Sequence, residues 1–410
     1  MRRKHEHKTI IKALIVLTLA CFLSITSVFP AYAHTVLSQS KLTKSIIVYK
    51  LESSITYSNM GNRTWNLTIE DMSISLFMNN SWQTVFLIYT SHPIQRVYTD
   101  EDGNKMALLN LGKSILKPRE NLTLTVAYKI IVREKNIPEV NEEESGELKD
   151  IPKNMVGEFC EKEGCWDTEN VELRNLAENL TNGETKVLTI VKRFIEWISL
   201  NIQYESAEYP RYPNETYVER RGDCDDQANL LITLCRIVGI PAYLQVGCIY
   251  VKGMEETADM WENHLKITLI NVGWHGWAIV YIPPWGWLPV DLTYSKYAVG
   301  MSKDPLDAIR TSAVSLQQTV QYVNITKTDV AGESRRYREY IIENDFYIYS
   351  MDKMEVFKEQ QEVKPPGTAI MKMLRIVALI ILVSMVISIA SAVIYFIYTK
   401  KYEAAVIRPY

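Results

Sequence analysis

From Ser45 to about Val132 the chain is built of short runs in which apolar and polar residues alternate or aromatic and β-branched residues cluster. Ile46-Ile47-Val48-Tyr49, Trp65 to Ile69, Ile74 to Phe77, Val85 to Tyr89 and Leu122 to Val126 have the pattern of strands. Asn59-Met60-Gly61-Asn62 and Asp102-Gly103-Asn104 are turn-forming breaks between them. Strands of this kind predict an antiparallel β-sandwich over 35–135. No catalytic constellation stands in it, so it reads as a spacer or binding module. An acidic stretch, Glu142-Glu143-Glu144 to Asp150, then reads as part of a solvated linker over 136–168.

Beyond the linker the period changes. Leu173, Leu176, Ala177 and Leu180 recur at helical spacing, as do Val187, Ile190, Val191, Phe194 and Ile198. A second domain over 169–300 therefore begins with helices. A further helix is predicted from Asp304 to Ala313, in an extension over 301–370 that closes on the hinge Pro365-Pro366-Gly367. No internal repeat is present. The expected class is α+β, an antiparallel sandwich followed by an α+β domain.

Two long apolar runs flank this body. Lys12 to His34 encloses no charge, is preceded by Arg2, Arg3, Lys4 and Lys8, and ends on the small-residue pattern Ala31-Tyr32-Ala33. It reads as a cleaved secretory signal, 1–33, with retention as an anchor as the alternative, and Cys21 reads as part of that segment. Ile376 to Tyr398 is also free of charge and, at 1.5 Å per residue, spans roughly 34 Å, enough to cross a bilayer core of about 30 Å. It predicts a transmembrane helix over 374–399. Lys400 and Lys401 then place a tail, 400–410, on the cytoplasmic side and the body outside a cell membrane.

Charge sharpens the picture. The formal net charge of −3 conceals basic ends and an interior that is more acidic than the whole. An acidic body lacks the basic face that binds nucleic acid, which excludes that partner class. The pattern for N-glycosylation occurs at Asn62, Asn66, Asn79, Asn121, Asn179, Asn214 and Asn324, all between the two apolar runs.

Five cysteines remain after Cys21: Cys160, Cys165, Cys224, Cys235 and Cys248. Cys160 and Cys165 are close enough in sequence for a local disulfide, and no second ligand pair stands nearby to make a zinc site. Cys235 and Cys248 read as buried small hydrophobes. Cys224 differs. In Arg221-Gly222-Asp223-Cys224-Asp225-Asp226-Gln227-Ala228 a capping Asp223 precedes an apolar helix through Leu230, Leu231, Leu234 and Val238, closed by Gly239 and Pro241. Cys224 falls in the first turn, where unpaired N–H groups and the positive dipole end favour a thiolate. Asp225 and Asp226 oppose that charge, so a histidine is needed as well.

Among the few histidines, His264 lies in a polar segment and reads as a surface residue. His275 opens an apolar run to Ile282, Pro283-Pro284-Trp285-Gly286 turns the chain, and Trp287-Leu288-Pro289-Val290-Asp291 returns. A hairpin centred on Pro283 sets His275 opposite Asp291, and directly paired side chains share one side of the sheet at about 5 Å. That suits a carboxylate that holds one imidazole nitrogen while the other serves a thiol.

These residues, with Leu234-Cys235-Arg236-Ile237-Val238-Gly239-Ile240-Pro241-Ala242, His275-Gly276-Trp277 and Trp287 to Thr293, resemble the transglutaminase-like superfamily of papain-type thiol enzymes over about 170 to 295. The resemblance implies a papain-like α+β domain in which Cys224 is the nucleophile, His275 the general base and acid, and Asp291 the orienter. It implies acyl transfer from protein or peptide amides through a thioester, released to water or to an amine, without a cofactor or metal. It offers Trp197 and Tyr204 as aromatic oxyanion partners. Gly276 and Ile279 depart from the usual alanine and acidic residue after the histidine motif, which bears on substrate fit. The alternative reading is an inactive domain of this type serving as a cell-surface binding module.

Overall fold

The computed structural model describes residues 46–298 and 304–359. The expected signal, 1–33, and transmembrane helix, 374–399, lie outside the described residues. No helix among the described residues is long and apolar enough to cross a membrane.

Eight strands come first: β1 (Ile46–Asn59), β2 (Trp65–Asn66), β3 (Ser73–Ser75), β4 (Gln83–Thr90), β5 (Ile94–Thr99), β6 (Lys105–Leu109), β7 (Ile115–Leu116) and β8 (Asn121–Arg133). A helical stretch follows, with α1 (Lys153–Phe159), α2 (Val171–Thr181), α3 (Val187–Asn201), β9 (Gln203–Tyr204), α4 (Pro213–Glu219), β10 (Arg221–Gly222) and α5 (Cys224–Ile237). The long hairpin of β11 (Ala242–Met260) and β12 (Leu265–Ile282) then leads to β13 (Gly286–Val290), α6 (Tyr294–Ala298), α7 (Asp307–Arg310), β14 (Thr319–Ile325), α8 (Val330–Glu343) and β15 (Phe346–Glu359).

Strand pairing overturns the expected α+β arrangement of a sandwich followed by a separate domain. One eight-stranded sheet runs in the order β14-β11-β12-β15-β1-β8-β4, with β13 also on β12. The last strand, β15, lies between β1 and β12, antiparallel to the first and parallel to the second. The first and last described strands are therefore neighbours, the described residues form one compact unit, and among them strand residues outnumber helical ones. The three-stranded sheet β3-β6-β5 is a separate small sheet of the N-terminal region. Its neighbour Phe77 packs edge-on to Tyr128 of β8.

The helical layer forms for the reasons its pattern gives. Asn170 caps α2 by accepting from the Leu173 N–H at 3.0 Å, and α3 buries Val187, Ile190, Val191, Phe194 and Ile198 along one stripe. Helix α5 is buried almost all round from Asp226 to Arg236. A helix so enclosed cannot tilt without disturbing the whole core, which fixes its N-terminus. The stretch expected to be a solvated linker is instead packed: Val140, Ile151 and Trp166 belong to the same core. The Trp166 Nε1–H donates to Asn229 Oδ1 of α5 at 3.0 Å, and the Arg236 guanidinium lies 4.1 Å over the indole. The helix expected from Asp304 to Ala313 shrinks to α7 and a short 3-10 turn.

A chain of buried amides ties the sheet together. Gln245 Oε1 accepts from Trp277 Nε1 at 3.1 Å and from Gln321 Nε2 at 2.7 Å, and Gln245 Nε2 donates to Asn324 Oδ1 at 2.7 Å. Asn324 is half-buried in this chain, and its acceptor-pattern partner Thr326 donates to Asp102. The other six asparagines of that pattern are exposed. Replacing Gln245 with leucine strips partners from the buried Trp277 and Gln321. The variant is expected to lose about 3 kcal/mol of stability in urea unfolding, since each buried polar group left unpaired costs about 1–3 kcal/mol.

Candidate active site

The site is assembled where the N-terminus of α5 meets the inner part of β12. Asp223 caps the helix: its side chain takes the backbone N–H of Asp226, and the Asp226 carboxylate reaches back to the Asp223 N–H at 3.3 Å. Cys224 is consequently the first residue of the helix and is half-buried. Gly222 permits this closure, because a Cβ there would lie 2.6 Å from Asp226 Cβ and 3.0 Å from Thr216.

His275 comes from β12, and Asp291 follows the last residue of β13. Their side chains meet, His275 Nε2 to Asp291 Oδ2, at 2.9 Å. The hairpin register differs from the expected one by two residues. Ala278 faces Val290 and Ile282 faces Gly286, so the loop is Pro283-Pro284-Trp285 and its centre is Pro284. Asp291 therefore lies diagonal to His275 and beyond the paired strand, within reach of a long side chain. The carboxylate is 1 % exposed and is held on every side. Oδ1 accepts from the N–H groups of Tyr294 (2.9 Å) and Thr293 (3.2 Å), and Oδ2 accepts from Ala313 N–H at 2.9 Å as well as from His275.

Electrostatics follow from this packing. Burial alone would push the His275 imidazolium down; the Asp291 charge and hydrogen bond, then the hydrogen bond and charge of Cys224, reverse this and raise it to about 10. Burial would likewise raise the Asp291 carboxyl, but the His275 charge and hydrogen bond and the N–H donors of Ala313 and Tyr294 hold it below its ordinary range. His275 is thus hydrogen-bonded to Asp291, and its raised pKa reflects the Cys224 thiol as a second neighbour. With Nε2 on the carboxylate, Nδ1 is the nitrogen turned to the thiol.

Arg211 was invisible in the sequence, where it stands in an unremarkable loop. Its side chain is 11 % exposed and its Nη1 lies 2.8 Å from Asp226 Oδ2, while its backbone N–H donates to Asp226 Oδ1 at 2.6 Å. The loop that carries it also donates Ala207 N–H to Asp223 Oδ2 at 3.3 Å. Helix α8 secures the loop's far end through Arg335 on Glu215 and Asp329 on the Tyr212 hydroxyl, at 2.9 Å and 3.2 Å. The thiol of Cys224 and a carboxylate oxygen each from Asp223 and Asp225 lie within 4.8 Å of one another, a spacing that could surround a metal ion. The thiol in that group is the one His275 faces.

The two aromatic oxyanion candidates part company. Trp197 stacks on Tyr217 at 5.7 Å beneath the Arg220 guanidinium at 4.9 Å. Tyr204 is placed on β9 opposite Gly222 of β10, two residues before Cys224. Cys160 and Cys165 are not bridged, contrary to the disulfide expected of them. Cys165 instead packs in the core beside Trp166, and Cys160 caps α1. Cys235 and Cys248 are fully buried, as expected, and burial pushes both thiols far up. His264, expected at the surface, is partly covered and stacks on Tyr347 at 4.5 Å.

Residues 174–292 match the family model of the transglutaminase-like superfamily, which bears out the resemblance carried by the motifs over that stretch. No curated protein matches the chain. Among solved structures, a candidate cysteine protease from Cytophaga hutchinsonii is similar at 16% identity and TM-score 0.47, over 77% of this chain and 93% of that one. The periplasmic domain of TgpA from Pseudomonas aeruginosa is similar at 14% identity and TM-score 0.30, over 62% of this chain and 91% of that one. Red sea bream transglutaminase follows at 11% identity and TM-score 0.25, over 60% and 46%. These scores are too low to transfer an activity, which has to come from the site.

The charge state of His275 is directly testable. Its ring-proton NMR shifts are expected to show imidazolium up to about pH 10, and an Asp291→Asn variant, which keeps burial and Cys224 but loses the carboxylate, is expected to lose the ring proton at a distinctly lower pH than the wild type. Because the folded value is raised from 6.5, the stability His275 contributes is fully present below about pH 6.5 and is lost as pH rises through about 10. Asp291→Asn should abolish that part of the pH dependence of unfolding.

Proposed function

We propose that this transglutaminase-like domain is a thiol acyl-transfer enzyme acting on peptide or protein amides, with Cys224 as nucleophile, His275 as proton carrier and Asp291 as orienter. The observation that carries the reading is the 2.9 Å hydrogen bond from His275 to the buried Asp291, on a strand packed against the enclosed helix that begins with Cys224.

The chemistry follows from that arrangement. The Cys224 sulfur attacks the amide carbonyl carbon and the C=O electron pair moves to oxygen. The backbone N–H of Cys224, in the first helical turn where such groups have no intrahelical partner, is one donor to that oxyanion; Tyr204, paired with Gly222 just before Cys224, is the second group we assign to it. Collapse of the intermediate breaks the C–N bond, and the amine leaves with the proton of His275 Nδ1. The thioester then remains on Cys224 beside a neutral imidazole. A water gives its proton to His275 as its oxygen attacks the thioester, and the C–S bond breaks to release the acid and restore the thiolate–imidazolium pair. An amine in place of the water would give crosslinking by the same steps. Throughout, Asp291 stays ionised and fixes the ring against rotation.

A peptide library provides the test. Cys224→Ala is expected to lower cleavage or acyl transfer about a thousandfold or more, whereas Cys235→Ala should stay within about threefold of the parent. Activity surviving in Cys224→Ala would refute the proposal.

A further inference from the structure

A cavity of about 140 Å³ lies between the large sheet and the small sheet β3-β6-β5, and neither Cys224, His275 nor Asp291 lines it. Strands β1 and β8 each turn alternate residues into it, as the two-residue period of a strand requires, and β3 covers them. The lining is only half covered at Ser53, Ile55 and Ser73, which leaves a way in between β1 and β3.

One wall is aromatic. Phe77 stands edge-on to Tyr128 with ring centres 4.8 Å apart and lies 4.5 Å from Tyr322, while Trp274 is edge-on to Tyr322 at 5.1 Å. Rings set at such angles offer both faces and edges to a further ring. The wall is also fixed. Trp274 Nε1–H donates to the buried Asp352 carboxylate at 2.9 Å, the Ser53 hydroxyl donates to the same carboxylate, and the Tyr128 hydroxyl donates to the Ser75 carbonyl at 2.8 Å. Side chains committed in this way cannot turn inward to close the space.

The Ser75 hydroxyl is different. The residue is 4 % exposed, and its Oγ is buried without a hydrogen-bond partner. The Tyr322 hydroxyl stands near it without forming a bond of good geometry. A hydroxyl left unpaired away from water is unfavourable, and a ligand O–H would satisfy it. None of the residues lining the cavity carries a charge, so an ionic ligand would lose its hydration without recompense. Size narrows the class further, because an apolar cavity of about 150 Å³ holds one benzene ring.

We propose that this cavity is a binding site for a neutral single-ring phenolic molecule, its ring seated against Phe77, Tyr128, Trp274 and Tyr322 and its hydroxyl bonded to Ser75 Oγ. The site stands whether or not the thiol chemistry does, since it shares no residue with it.

Fluorine NMR of the full chain labelled with fluorotryptophan tests this, with the Trp274 resonance identified by its loss in Trp274→Phe. Phenol is expected to move that resonance saturably, with half-saturation below about 5 mM, a modest affinity for so small a ligand. Ser75→Ala is expected to weaken phenol about fivefold and to leave toluene, a ring of similar size without the hydroxyl, within about twofold of its wild-type affinity. Val126→Phe, which fills the cavity from β8, is expected to abolish the response to both. No saturable shift with phenol overturns the proposal. So does phenol affinity that is unchanged in Ser75→Ala or in Val126→Phe, or a loss in Ser75→Ala that toluene shares equally.

Discussion

Everything at the site depends on one contact, the 2.9 Å hydrogen bond between His275 and a carboxylate that is almost wholly removed from water. Burying a charge is expensive unless it is matched and hydrogen-bonded. Asp291 meets both conditions, with three backbone N–H donors from Thr293, Tyr294 and Ala313 and one charged ring. Those donors come from the turn after β13 and from the 3-10 turn near 313, so the carboxylate is a joint between two parts of the chain. Once it is fixed, His275 has one orientation, and that orientation presents its second nitrogen to the start of α5.

The sheet explains why the two halves of the site stay aligned. His275 stands on β12, which pairs with β11 along its whole length, with β15 over its first part and with β13 over its last. The buried amides of Gln245, Gln321 and Asn324, with Trp277 two residues from His275, lock the same strand to its neighbours from one face. On the other side α5 is surrounded by α2, α3 and the Trp166 segment. Cys224 and His275 thus ride on two elements whose separation is set by the core, with Gly276 letting the strand pass close to Asp225.

Local features were legible in the sequence because local physics creates them. Asp223 as cap, the span of the Cys224 helix and the meeting of His275 with Asp291 could all be read from capping chemistry, apolar spacing and a turn between two aromatic runs. The register slipped by two because the proline turn holds three residues about Pro284. What could not be read depends on partners far apart in the chain. Nothing near Phe346 says that β15 pairs with β1, and this pairing is why the expected separate sandwich does not exist. Nor does anything near Arg211 reveal that it neutralises Asp226. The acidic run at 142–150 looked solvated, and Glu143, Glu144 and Asp150 are exposed, but Glu142 pairs with Lys192 of α3 and Val140, Ile151 and Trp166 around the run supply core.

The most direct test of the central claim, that His275 held by Asp291 activates Cys224, is the rate at which iodoacetamide alkylates Cys224 at pH 7 in the wild type and in His275→Ala, read by mass spectrometry at that residue. The account predicts at least tenfold faster alkylation in the wild type. Equal rates in the two proteins would contradict it.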